Sequence, residues 1–89
     1  MYNKNMTFRF TKHARAKFVR MRQSGFRLTQ TKVKETIAQP SKTESRDDGT
    51  FIATSLFDSN HVLRVVYRKE GDIIVIITFY PGRRKAYDI

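Results

Sequence analysis

Residues 61–81 read HVLRVVYRKEGDIIVIITFYP. Two runs rich in β-branched and aromatic residues, His61–Arg68 and Asp72–Tyr80, flank a short turn, KEG. Such runs at alternating period read as paired strands. A three-residue hairpin loop closed by a left-handed glycine is a common type. With Gly71 in that role, Arg68 is expected opposite Asp72, Val66 opposite Ile74, Arg64 opposite Ile76 and Val62 opposite Thr78. One face of the hairpin then carries Leu63, Val65, Tyr67, Ile73, Val75, Ile77 and Phe79, an apolar surface for helices. The other carries Val62, Arg64, Val66, Arg68, Ile74, Ile76, Thr78 and Tyr80. A slip of one residue exchanges the faces.

The rest of the chain supplies what that apolar face needs. Thr11 is suited to cap a helix over Lys12–Gln23, whose Ala14, Phe18 and Met21 form an apolar stripe. Gly25 is placed to end it in a left-handed conformation. Thr29 is the expected cap of a second helix, with Leu28 and Val33 at the hydrophobic staple positions and Pro40 as its stop. Phe8–Phe10 has the composition of an edge strand. SKTESRDDGT is a loop or a weak edge strand. Phe51–Phe57 is a further strand, and Pro81-Gly82 should break the last long one before a short strand at Arg84–Tyr87. The expectation is a single α+β domain over 1–89, with two N-terminal helices on one face of a three- to four-stranded antiparallel sheet.

The charge distribution points to function. The 89 residues carry 18 Lys/Arg against 8 Asp/Glu, a net charge of +10. No acid precedes Glu35. Such a one-sided field attracts polyanions. It also suits an acidic protein partner, or simply a solvated surface. There is no cysteine, and the scattered histidines and acids argue against a dedicated metal site. No apolar run reaches the length of a membrane span. The start, MYNKNMTF, lacks the apolar core of a leader. A cytoplasmic protein without cofactor is the expectation.

Paired carboxylates at fixed spacing, a glycine-rich phosphate loop and an activated Ser or Cys nucleophile are all missing from the pattern. Arg, Lys, His, Thr and Tyr remain. They suit metal-free RNA cleavage, where the ribose 2′-hydroxyl is the nucleophile and the protein supplies proton transfer and cations. His13 has the side chain for acid or base work. It equally fits an ordinary helix-start residue. Arg64 and Arg83 suit a phosphate, and Tyr80 suits stacking on a base or donating a proton. His61 reads as a strand residue beside a turn. DNA reading would require the first helix to fill a major groove, but its apolar stripe must face the sheet.

The segments TKHARAKFVRMR (11–22), VKETIAQP (33–40) and LRVVYRKEGDIIVIITFYP (63–81) together resemble a widespread prokaryotic family of small domains of unknown function. Its members begin T-x-H-A-x-x-[KR]-[FM]-x-x-R and continue to L-R-V-V-Y and I-x-T-[FV]-Y-P. That family is similar to the RelE and barnase–EndoU–colicin class of metal-independent ribonucleases, which includes toxins of toxin–antitoxin pairs. The resemblance implies His13, Arg64, Thr78 and Tyr80 as catalytic positions. Lys12, Arg15, Lys17, Arg68, Arg83 and Arg84 are the expected contacts to nucleic acid. It also implies an RNA substrate, free or on the ribosome, and an acidic antitoxin covering the open sheet face. One departure is QSGFRLTQTK (23–32), where many members carry an R-G-I turn and acids at the next helix start. The rival expectation is a non-catalytic nucleic-acid-binding or adaptor module.

Overall fold

Thr11 joins the first strand to the first helix and ties both to the sheet. Its hydroxyl accepts from the Ala14 amide at 3.1 Å, capping the helix. The same hydroxyl donates to the Ile77 carbonyl at 3.0 Å, and the Thr11 amide donates to the Ile76 carbonyl. Around this junction the chain runs β1 (Thr7–Phe10), α1 (Lys12–Gln23), α2 (Gln30–Ala38), β2 (Lys42–Ser45), β3 (Phe51–Leu56), β4 (His61–Glu70) and β5 (Ile73–Arg83). These elements come from a computed structural model that describes residues 6–87 and 89. The beginning of the chain, where no leader is expected, lies partly outside these residues.

The sheet has five strands in the order β1-β5-β4-β3-β2. It is mixed: β1 runs parallel to β5, and the remaining neighbours are antiparallel. The expected three- to four-stranded antiparallel sheet is therefore corrected by two short edges. Phe8–Phe10 does lie in an edge strand, but it pairs in the same direction as β5. SKTESRDDGT resolves into the four-residue strand β2 and a turn back to β3. Charged, brief edge strands of this kind resist pairing with other chains.

Both helices pack on one face, as expected. α1 contributes Ala14 and Met21, and α2 contributes Val33 and Ile37. Beneath them lie Leu63, Val65, Tyr67, Ile74, Ile76 and Phe79. Phe18 bridges the layers, with its ring centroid 4.6 Å from Phe79 and 5.6 Å from Phe10. Inside this interface the Thr36 and Ser55 hydroxyls bond at 2.8 Å, so neither is buried without a partner.

The hairpin register differs from the expected one. Glu70 pairs with Ile73, so the loop is the two residues Gly71-Asp72. Gly71 has φ +59, and among the described residues no non-glycine has positive φ, the pattern of a type II′ turn. This register puts Ile74 and Ile76 on the helix face and Val75 opposite Arg68 on the other. The faces assigned above to Ile73, Ile74, Val75 and Ile76 are thus exchanged. A bulge then restores the phase. Tyr67 pairs with Ile76 but Val66 pairs with Thr78, leaving Ile77 as the extra residue. Beyond it, Val65 faces Phe79 and Arg64 faces Tyr80. Thr78 and Tyr80 therefore do share a face with Arg64, and Phe79 with Val65. The bulge sits where β1 ends and Thr11 takes over the β5 backbone.

β5 also continues through Pro81 and Gly82, which were expected to break it. At that point β5 has β4 on one side and no strand on the other, since β1 pairs only with Ile73–Ile76. A proline without a donor is compatible with such an edge. The expected strand at Arg84–Tyr87 is instead a single 3-10 turn over Arg84–Ala86.

Candidate functional site

The face away from the helices gathers side chains from β2, β3, β4 and β5, joined by Lys17 of α1 and by Tyr87 after the 3-10 turn. Arg64 lies at its centre. Its side chain is only 11% exposed, and its terminal nitrogen donates to Glu44 Oε2 on β2 at 2.6 Å. The guanidinium lies 4.5 Å from the Tyr87 ring centroid and 5.7 Å from that of Tyr80. Burial works against the charge on Arg64. Tyr87, Tyr80 and Glu44 together outweigh it and hold its pKa above the ordinary arginine value. The cation is therefore fixed in place and permanently charged.

Lys17 completes the group from α1. It passes the outer edge of β5, and its ammonium donates to the Thr78 hydroxyl at 3.2 Å. The same nitrogen stands 5.8 Å from the Tyr80 ring centroid. Burial first, and the nearby Arg20 charge second, lower the pKa of Lys17. Tyr80 is thus flanked by two cations of different character: a locked guanidinium and an ammonium that gives up its proton more easily than a free lysine. Two further polar atoms on this face, Arg64 Nε and the Thr54 hydroxyl, are buried with no hydrogen-bond partner among the described residues. They belong to directly paired residues of β3 and β4.

Of the sequence-predicted catalytic set, Arg64, Thr78 and Tyr80 come together. His13 does not join them. It is exposed on the first turn of α1, one turn before Lys17, and makes no hydrogen bond or ion pair with a described residue. Lys17, expected only as a nucleic-acid contact, occupies the position His13 was expected to hold. Lys12 is exposed near His13. Arg15 turns elsewhere, reaching the Phe10 carbonyl at 3.5 Å. Arg68 lies towards the hairpin tip, where its ion pair with Glu70 at 2.7 Å and that of Arg9 lower the Glu70 pKa. Arg83 and Arg84 line a separate cleft beyond Tyr87. Among the described residues, no three His, Cys, Asp or Glu side chains cluster to hold a metal ion.

Sequence reasoning missed Glu44 and Tyr87. Glu44 sits in a polar stretch whose register gave no apolar signal. Tyr87 depends on the 3-10 turn and on Gly82, where a Cβ would stand 2.5 Å from the Tyr87 ring. The glycine lets that ring lie against the end of β5 and over Arg64. No family model, curated protein or solved structure matches this chain. No helix among the described residues is long and apolar enough to cross a membrane.

Proposed function

We propose that the chain is a metal-independent endoribonuclease of toxin type, acting at the Lys17–Arg64–Thr78–Tyr80 face on mRNA or tRNA. The observation that carries this reading is the convergence of the Arg64 guanidinium and the Lys17 ammonium on the Tyr80 ring, with Lys17 held by the Thr78 hydroxyl. In the reaction the 2′-hydroxyl attacks the adjacent phosphorus and loses its proton. The P–O5′ bond breaks, the 5′-oxygen gains a proton, and a 2′,3′-cyclic phosphate remains. Arg64 stabilises charge on the phosphorane. Lys17 exchanges the proton, with Thr78 holding its ammonium in place. Tyr80 provides the surface on which a base stacks. Glu44 orients Arg64. The net charge of +10 draws RNA to the chain as a whole. An acidic antitoxin in the same cytoplasm covers the face and Leu56, which is exposed beside it.

The rival reading is a non-catalytic nucleic-acid-binding or adaptor module. One observation favours it: Arg64 is already paired with a carboxylate. Induced expression separates the two. Growth arrest with fragmented RNA, abolished by Arg64→Ala and Lys17→Met, supports the ribonuclease. Normal growth and intact RNA from soluble, folded protein favour the module.

A further inference from the structure

Beyond Tyr87 the surface opens into a cleft of about 700 Å³ between the turn after β3 and the 3-10 turn after β5. That volume is within the roughly 300–1,000 Å³ typical of ligand sites. Its walls carry Arg83, Arg84 and Lys85 on one side and Asn60 and His61 on the other. No acidic residue lines it among the described residues. The nearby Asp58 is engaged with His61 Nδ1 at 2.9 Å. Arg83 and Lys85 make no ion pair with a described residue. Arg84 donates its Nε to the Ile89 main-chain oxygen at 3.1 Å, which holds the guanidinium at the cleft. The cleft is braced by the Arg84 amide donating to the Asn60 carbonyl at 2.8 Å. That bond occupies only the backbone of Asn60 and leaves its side-chain amide available.

Tyr87 is shared. It lines this cleft and also lies 4.5 Å from the Arg64 guanidinium. A strand of RNA whose phosphate sits at Arg64 would therefore enter the cleft with its next nucleotide. We infer that the cleft is a nucleotide subsite for single-stranded RNA, with Arg83 and Lys85 on the phosphate and Asn60 reading the edge of the base. It rests on the reading of the Arg64 face as an RNA site, and it adds a source of base preference. Single-stranded bases are read in this way: an aromatic wall on one side and an amide on the hydrogen-bonding edge.

The test uses a mixed-sequence, fully 2′-O-methylated RNA hexamer, which binds but lacks the nucleophile. Backbone amide shifts of the full chain are followed by NMR as the hexamer is added. Shifts at residues 59–61 and 83–87 are expected together with shifts around Arg64. Arg83→Ala with Lys85→Ala should weaken binding roughly tenfold and reduce the salt dependence. Asn60→Ala should level the affinities of hexamers that differ in one base. Both variants alter exposed side chains, and the same spectra report their folding. Shifts confined to the Arg64 face, with variant affinities within about twofold of wild type, would overturn the subsite and leave the ribonuclease reading standing. Shifts in the cleft with no cutting of unmethylated RNA would support the subsite and remove the ribonuclease reading. No binding anywhere would overturn both.

Discussion

Lys17 spends stability to sit where it does. Burial disfavours its charge, so the folded chain releases the proton below the ordinary lysine value of 10.5. Between the two pKa values the unfolded chain binds more protons, and the contribution of Lys17 to stability therefore rises with pH. Lys17→Met should flatten that rise and leave the thermal midpoint at neutral pH equal to or above wild type. Cleavage should nonetheless fall by about 10² or more, the size of a lost proton-transfer group. A residue that costs stability and carries activity is the pattern expected of a site rather than a scaffold. Gly82 acts at the same scale. Gly82→Ala places a methyl against the Tyr87 ring. It should displace that ring, measured as new exposure of Tyr87 in its fluorescence quenching, and weaken RNA binding while the far-ultraviolet circular dichroism is unchanged.

The elements are joined through Thr11, whose hydroxyl both caps α1 and holds the Ile77 carbonyl at the β5 bulge. Thr11→Ala removes both bonds and should cost about 1–2 kcal/mol in urea unfolding. Thr11→Ser should recover most of it. The bulge also explains what is legible in the sequence. The helices, their threonine caps and the apolar stripe are readable, because periodicity and capping are local. Strand pairing is readable only in part. The left-handed Gly71 is recognisable, but the sequence does not distinguish a three-residue loop from a two-residue one. The longer loop puts Ile74 and Ile76 on the open face, where they do not lie. Thr78 and Tyr80 nevertheless stand on the expected face, since the bulge at Ile77 returns the strand to the expected phase. Bulges depend on a distant partner, here Thr11, and leave no periodic mark. Glu44 and Tyr87 are hidden for the same reason: each reaches Arg64 only through the folded sheet. His13 stands out by its chemistry as a residue type, and one helical turn separates it from the lysine that reaches Thr78.

At the scale of the whole molecule, a small core supports a strongly charged surface. Phe79 is fully buried at its centre, and Phe79→Ala should cost about 3–5 kcal/mol, which a domain of this size survives only marginally. The surplus of ten positive charges should make RNA affinity fall steeply with salt. Removing one phosphate-binding side chain should flatten the log–log slope by about 0.7 for single strands. That dependence is common to a nuclease and a binding module, so it measures the footprint and not the chemistry. The chemistry is decided by incubating purified wild-type chain with total RNA in the presence of a chelator, and analysing the new ends. Cleavage should leave 2′,3′-cyclic phosphates, be lost in Arg64→Ala and Lys17→Met, and persist in His13→Ala. RNA that is bound but left intact by the wild-type chain, or cut equally well by the Lys17 and Arg64 variants, would refute a ribonuclease acting at this face.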